Sequence, residues 1–290
     1  MTRLTVAALD RDLPVVAAQA LHLFEQAGLE VDFHAVPDPY ELSAGLKTGR
    51  WQVVHVDADH VFHWGDDPDC DCFIFLVGST GVGTSLWVRP GLADSSARRL
   101  AVNDLEAGEG LWLQDLLLHE GLLGRAVALN PPVSPETRLA LLREGRVDGC
   151  FLPASLELEA AEAGLTRVVD LGARLPEYPG YTLVTTHRFN AVHPEQVITY
   201  ARVIWQALGR AAEMDPLSEG PALLAQAFGW SSTVAARRFP GCIKALGQVH
   251  PSLSQAFASL ELARALRARH RSGVGRVQRY FDPAVMNAMF

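Results

Sequence analysis

Short apolar runs of strand length alternate with longer stretches of helical spacing along the first two thirds of the chain. The sequence Asp38-Pro39-Tyr40-Glu41 predicts the start of a helix, with Asp as N-cap, Pro in the first turn and Glu three residues after the cap. Strands are predicted at 4–8, 31–35, 53–56, 73–77, 86–88, 100–102, 126–129, 150–152, 167–171 and 181–185. Helices are predicted at 14–27, 57–64, 110–120 and 154–163, with another opened by Ser134-Pro135.

The pattern changes after Pro194, where helical spacing becomes continuous. Helices are predicted at 194–214, 222–228, 232–239 and 253–269. The chain therefore reads as parallel α/β followed by a helical C-terminal third.

One local pattern occurs twice and indicates how the α/β part is divided. Residues 46–50 and 142–146 each end an amphipathic helix with a glycine and a basic neighbour, and each leads into a short buried strand. The copies are too far apart for a solenoid repeat. They indicate two lobes of similar construction with a cleft between them, where small molecules usually bind.

Composition narrows the partners more than it narrows the function. The 290 residues are 49% hydrophobic and 20% charged, with a net charge of −8 and no block of Lys or Arg, so nucleic acid is an unfavourable partner. The apolar runs are too short to span a membrane. The N-terminal segment lacks the residue order of a secretion signal. This predicts a cytoplasmic protein as written, or a periplasmic or extracellular one if a leader was trimmed.

Ligands of α/β folds bind at the carboxyl ends of strands, beside helix N-termini. In the first predicted lobe this rule selects Asp10-Arg11, Asp57–His60 and Gly78–Thr84. In the second it selects Asn103-Asp104 with 108–110, and 153–155.

The order of several weak motifs resembles the type II periplasmic-binding-protein fold. The matching stretches are 46–64, 86–90, 138–153, 160–170, 178–181 and 190–208. Within that fold the chain looks most like solute-binding proteins for nitrate, taurine and alkanesulfonates, and like the pyrimidine-precursor synthases. The resemblance implies lobe one at 1–97 plus 186–290, lobe two at 98–185, and two hinge strands near residues 90 and 184. It also implies closure around a small, often anionic ligand, and an ABC permease partner if the protein is exported.

Site residues are carried over from this resemblance only where the segments match. The implied ligand-binding residues are Asp10, Asp57, Asp59, His60, Ser79, Thr80, Asn103, Asp104, Gly108, Pro153 and Tyr178. The chain also departs from its relatives. Residues 95–99 read Ser-Ser-Ala-Arg-Arg where Asp-Leu-x-Gly-Lys is usual, residue 60 is His where importers more typically carry Asn, and the secretion leader is missing.

Each candidate group has a functional interpretation and a plainer one. Asp57, Asp59 and His60, with His55 and His63 nearby, form either a base held by carboxylates or a capped helix start. Zinc or iron would suit such ligands, but residues 55 and 60 lie on different elements, so no metal is predicted. The Gly78–Thr84 segment is either an anion cradle or a turn. Acidic residues at 103–109 either cap a helix or meet a ligand with an amine or heterocycle.

Covalent and redox chemistry have little support in the sequence. Lys47 and Lys244 are the two lysines, which disfavours pyridoxal chemistry, and no cofactor is predicted. Cys72 is expected to be buried and inert.

Three functions remain open. The first is a binding protein for a small anionic or zwitterionic metabolite. The second is a cytoplasmic lyase, decarboxylase or pyrimidine-forming enzyme with His60 as general base beside Asp59. The third is an intracellular ligand-sensing partner.

Overall fold

The computed structural model describes residues 1–10, 12–67 and 69–290, and Arg11 of the predicted strand-end pair lies outside the described residues. The strands are β1 (Thr2–Ala8), β2 (Leu29–Ala35), β3 (Val53–His55), β4 (Cys72–Thr80), β5 (Thr84–Val88), β6 (Arg99–Val102), β7 (Arg125–Ala128), β8 (Gly149–Pro153), β9 (Thr166–Asp170), β10 (Pro179–Thr186) and β11 (Gln248–Val249). The helices are α1 (Leu13–Ala20), α2 (Leu23–Gln26), α3 (Pro39–Thr48), α4 (Ala58–Trp64), α5 (Glu109–His119), α6 (Pro135–Arg143), α7 (Glu157–Glu162), α8 (Leu171–Arg174), α9 (His187–Val192), α10 (Pro194–Glu213), α11 (Glu219–Phe228), α12 (Ser232–Leu246), α13 (Leu253–His270) and α14 (Ala284–Ala288).

Two separate sheets divide the molecule into two lobes, as predicted. Lobe one is built on a six-stranded sheet with the order β11-β4-β10-β3-β1-β2. Lobe two is built on a five-stranded sheet with the order β7-β6-β8-β5-β9. Strands that keep to one lobe, such as β1 with β2 and β3, pair in parallel.

The crossings between lobes add antiparallel strands that the predicted parallel pattern did not include. The chain leaves lobe one after β4 and enters lobe two through β5, which pairs antiparallel with β8 and β9. It returns through β10, which pairs antiparallel with β3 and β4. A strand that enters a sheet from the opposite lobe runs against its neighbours. The chain therefore passes from one sheet to the other at 81–83 and at 171–178, whereas the sequence predicts hinge strands near residues 90 and 184. The lobe limits of 1–97 plus 186–290 and of 98–185 stay a prediction.

Local signals account for most helix starts. The Asp38 carboxylate accepts from the Tyr40 amide at 2.9 Å, and the Ser134 hydroxyl accepts from the Thr137 amide at 3.3 Å, so both predicted caps are confirmed. The predicted helix at 14–27 is instead two helices, because His22 adopts a left-handed backbone conformation (φ 55°). The predicted end at residue 239 is also wrong, since α12 continues through Pro240 to Leu246.

The burial of each strand reflects its position in the sheet. Every residue of β4 is buried, as expected for a strand inside a sheet that is covered on both faces. On β8, Phe151 packs into the main hydrophobic core, whereas Cys150 and Leu152 pack into a smaller core of lobe two. None of the helices in the described part of the chain combines the length and apolar composition that a membrane span needs.

The C-terminal helices contact both lobes. On one side, α13 packs against α4 of lobe one and against α5 of lobe two. On the other, α12 packs against α11 and carries Arg238, whose guanidinium pairs with Glu159 (2.6 and 2.9 Å) and Glu136 (3.0 Å) of lobe two. These contacts hold the lobes together on both flanks of the cleft.

Candidate ligand cleft between the lobes

A cavity of about 220 Å³ lies between the lobes, at the ends of the strands. Lobe one contributes Leu9, Asp10, Asp57, His60 and the crossing segment from Gly81 to Thr84. Lobe two contributes Asn103, Asp104, Ala107, Glu109, Trp112, Val133, Pro135, Arg138 and Pro153. Predicted residues 10, 57, 60, 103, 104 and 153 thus share one cavity wall.

Asp57 and His60 reach the cavity from the start of α4. Asp57 occupies the N-cap position, but its carboxylate makes no cap hydrogen bond, so it faces the cavity. His60 lies three residues later, on the same side of the helix. The plainer interpretation of Asp57 as a helix cap is therefore wrong.

Gly108 brings lobe two against these two side chains. It precedes α5 with φ 51°, and a Cβ there would lie 3.3 Å from Asp57 Oδ2 and 3.5 Å from His60 Nε2. Both the positive φ and the close approach favour glycine. Gly108 therefore lies close to the two side chains with which α4 lines the cavity.

Asn103 and Asp104 follow β6 and have different surroundings. Asn103 donates to the Val133 carbonyl at 2.8 Å and accepts from the Val133 amide at 3.1 Å, which fixes the loop before α6. Asp104 Oδ1 accepts from the Glu106 amide at 2.8 Å and from the hydroxyl of Tyr40, in lobe one, at 3.4 Å. Asp104 Oδ2 has no hydrogen-bond partner among the described residues.

An ion pair between a buried arginine and a partly buried glutamate forms the lobe-two wall opposite. Arg138 of α6 donates to Glu109, in the first turn of α5, and also interacts with Asp10 of lobe one. Although burial opposes its charge, the nearby Glu109 and Asp10 raise the pKa of Arg138 above its usual value. The arginine therefore stays cationic, and its charge is partly balanced by Glu109 and Asp10.

Sequence reasoning did not select Arg138 or Trp112 as site residues, whereas Glu109 was among the acidic residues that it placed at 103–109. A signal was available for Arg138, because it lies three residues after Pro135 at a helix start and so shares its face. Both residues line the cavity. Trp112 lies three residues after Glu109 and continues the same face of α5.

The glycine-rich segment contributes its second half to the cavity. Ser79 and Thr80 are buried within β4 and do not line the wall, whereas the next four residues do. The glycine at position 83 has a packing reason, since a Cβ there would lie 2.1 Å from the Cα of Ala245 on α12. Glycine content alone is therefore no evidence for an anion cradle here.

Asp59 and Tyr178 form a bond behind the cavity wall rather than on it. Asp59 is fully buried, and the Tyr178 hydroxyl donates to its Oδ2. This bond links α4 to the segment in which the chain returns to lobe one. Both residues support the wall formed by Asp57 and His60.

His55 belongs to a separate buried network of lobe one. Its Nδ1 lies 2.6 Å from Asp12 Oδ2, and its Nε2 lies 2.8 Å from the Tyr200 hydroxyl. The Tyr181 hydroxyl donates to the same carboxylate at 2.8 Å. The His55 ring nitrogens are thus occupied away from His60, so the proposed cluster of the two histidines does not form.

Burial dominates the protonation of the cleft residues. Burial and the nearby Glu109 raise the pKa of Asp57 to about 7, against the opposing effect of Arg138. Burial also raises the pKa of Asp59 to about 7, despite the Tyr178 bond. Burial, with Arg267 and His63 nearby, lowers the pKa of His60 to about 3, so the imidazole is neutral at pH 7.

Solved structures of other proteins share the two-lobed fold over nearly their whole length. A protein from Bordetella bronchiseptica has a TM-score of 0.78 and 13% identity, covering 100% of this chain and 97% of its own. The ligand-binding component of an ABC-type import system from Staphylococcus aureus, solved with zinc bound, has a TM-score of 0.74 and 11% identity, covering 100% and 99%. The alkanesulfonate-binding protein from Xanthomonas axonopodis, bound to MOPS, has a TM-score of 0.73 and 18% identity, covering 97% and 98%.

This chain has the periplasmic-binding-protein fold. The predicted fold class is therefore confirmed. No protein-family model matches the sequence, and no curated protein matches it significantly. At these identities the likeness establishes the periplasmic-binding-protein fold and leaves the ligand to the chemistry of the cleft.

Proposed function

We propose that the chain is a solute-binding protein whose lobes close on one small ligand with a cationic or hydrogen-bond-donating nitrogen. The observation that carries this proposal is the charge of the cleft wall. Asp10, Asp57, Asp104 and Glu109 surround the cavity, and Arg138 is the cation opposite them. Arg138 already donates to Glu109, which balances much of its charge, while its buried Nε has no hydrogen-bond partner among the described residues.

A purely anionic ligand would bind poorly in such a cleft. Two like unit charges about 5 Å apart repel by roughly 3 kcal/mol at an effective dielectric constant of 20. A ligand with an ammonium group or a protonated heterocycle gains the same energy from Asp57 or Asp104. We therefore favour the zwitterionic form of the predicted metabolite over the anionic form, with any acidic group turned toward Arg138.

Three small probes that share a two-carbon chain test this proposal directly. Taurine carries an ammonium and a sulfonate, ethanesulfonate carries only the anion, and ethylamine carries only the cation. In calorimetric titration at pH 8, taurine and ethylamine are each expected to bind with higher affinity than ethanesulfonate. Binding of ethanesulfonate alone would contradict the proposed ligand class.

The partner proposed for such a protein is an ABC permease. The Staphylococcus aureus neighbour is part of an ABC-type import system, and the lobe-closing fold is shared with it. This proposal favours the periplasmic or extracellular location over the cytoplasmic one.

An enzyme on the same fold is the second candidate, and one observation favours it. Asp57 has a pKa of about 7 and faces the cavity, which suits a general base or acid near neutral pH. His60, the base first considered, has a pKa of about 3 and would accept a proton poorly. Turnover of a bound compound that is lost in Asp57→Asn would replace the binding proposal by this one.

A further inference from the structure

Three potential metal ligands meet where α5 and α13 end, on the far side of Trp112 from the cleft. They are Asp115 and His119 of α5 and His270 of α13, and one ligand atom from each lies within 4.8 Å of the others. Asp115 and His119 are four residues apart, so they project from the same face of α5. The cluster therefore joins a lobe-two helix to a helix that also packs on lobe one.

The chemistry of these residues matches a transition-metal site. Two imidazoles and a carboxylate are the protein ligands of many open zinc sites, which keep water in the fourth position. The His270 side chain is 2% exposed, and its Nε2 lies 3.1 Å from Asp115 Oδ1. His119 is exposed and its ring centroid is 5.6 Å from that of His270, so a rotation of this side chain can complete the ligand set.

Two further features favour a cation at this position. Both helices end here, His119 and His270 being their last residues, and helix C-termini attract positive charge. Asp115 also lines a cavity of about 310 Å³, which leaves room for a metal-bound water.

The cation now nearest to Asp115 is displaceable. Arg269 donates to both carboxylate oxygens at 3.2 and 3.3 Å, but its side chain is 55% exposed. Because the guanidinium is more than half exposed, solvent screens its attraction to the buried Asp115. Arg269 can therefore turn into solvent when a metal binds Asp115.

We propose that Asp115, His119 and His270 bind one zinc-type divalent cation that fastens α5 to α13. The first turn of α5 carries Glu109 of the cleft wall, and α13 packs on α4, which carries His60. A metal that joins α5 to α13 therefore also fixes the distance between α5 and α4, the two helices that carry Glu109 and His60. The site needs no ligand in the cleft, so it stands or falls independently of the proposed solute binding.

The test is a titration of the full chain with Zn²⁺ alone, and with Co²⁺ as a spectroscopic probe. Wild-type protein is expected to bind one Zn²⁺ and to unfold about 5 °C higher at a hundredfold excess over Kd. His119→Ala, an exposed change that leaves the fold intact, and Asp115→Asn are each expected to weaken binding at least tenfold. His22→Asn, at an exposed histidine elsewhere, is the matched control and should bind as wild type does.

Cys70 and Cys72, whose sulfurs are 3.2 Å apart, are the competing place for zinc. The Co²⁺ complex is expected to lack the near-ultraviolet band of thiolate ligation, and Cys70→Ser should leave binding unchanged. The proposal is overturned if wild-type protein binds no Zn²⁺ stoichiometrically, if His119→Ala binds it equally well, or if Cys70→Ser abolishes binding.

Discussion

His60 Nδ1 lies 3.7 Å from Asp104 Oδ2, and this approach crosses from lobe one to lobe two. Within the described residues, neither atom has a hydrogen-bond partner. Because the pKa of His60 is about 3, the imidazole is neutral and the pair is not a salt bridge at pH 7. Desolvated polar atoms without partners are costly, so a ligand that supplies a donor to Asp104 is stabilised here.

Asp104→Asn removes the negative charge that faces His60 across the cleft. We expect affinity for the best-binding amine probe to fall at least tenfold, because hydrogen bonds to charged groups contribute about 1.5–3 kcal/mol. Calorimetry measures the change. Asn103→Ala measures separately what the loop position contributes, since Asn103 lines the same cavity and fixes the loop through Val133. Equal affinity in Asp104→Asn and wild type would show that the ligand does not use this carboxylate.

Gly108→Ala is expected to hinder lobe closure. The added methyl would lie 3.3 Å from Asp57 Oδ2 in a backbone conformation that disfavours side chains. We expect weaker probe binding and a larger radius of gyration by small-angle X-ray scattering. The same change at Gly164, which has a positive φ but open space around it, controls for backbone strain. Scattering curves that coincide for the two variants would argue against a closure effect.

Binding of a cationic probe is expected to depend on pH through Asp57. A cation favours the ionised carboxylate, so affinity should rise as the pH rises through about 7 and level off above it. Binding should release a proton, which calorimetry in buffers of different ionisation enthalpy detects. In Asp57→Asn the pH profile is expected to flatten; an unchanged profile would assign the titration to another group.

Asp59→Asn is expected to change how stability depends on pH. The pKa of Asp59 in the folded protein is about 7, above the usual value of 3.8. The folded state therefore holds the proton more tightly, and stability falls as the pH rises from about 4 to 7. The cost above pH 7 is on the order of 4 kcal/mol. Asn keeps an acceptor for Tyr178 without the charge. Relative to wild type, the variant should gain stability at pH 8 but not at pH 4, as denaturant unfolding measures.

Arg138→Met is expected to destabilise the protein by about 2 kcal/mol, because the partly buried Glu109 loses its partner. Adding Glu109→Gln should restore part of that loss. A double-mutant cycle by urea unfolding measures the coupling between the two positions. Strictly additive losses would mean that the pair contributes nothing beyond its separate side chains.

Local physics made much of this fold predictable. The caps at Asp38 and Ser134 need only a side-chain oxygen and the amide two or three residues later. The strands could be predicted from short runs of apolar residues alone. The sheet that each crossing strand joins was not predictable, because β5 and β10 pair with residues far away in sequence.

The same limit explains the site. Asp57 and His60 could be placed on one face of α4 because they are three residues apart. Asp59 lies two residues after Asp57, so the helix turns it away from that face. The helix spacing places Arg138 on the same face as Pro135, but it does not reveal with which residue Arg138 forms an ion pair. Its partner Glu109 lies on another helix, and tertiary packing alone brings the two together.

Native mass spectrometry of freshly purified protein, followed by release of any retained compound, tests the central claim most directly. The account predicts one small molecule per chain, carrying a basic nitrogen, lost in Asp104→Asn and chemically unchanged after incubation. Release of a compound with acidic groups alone, or conversion of the bound compound into a product, would contradict it.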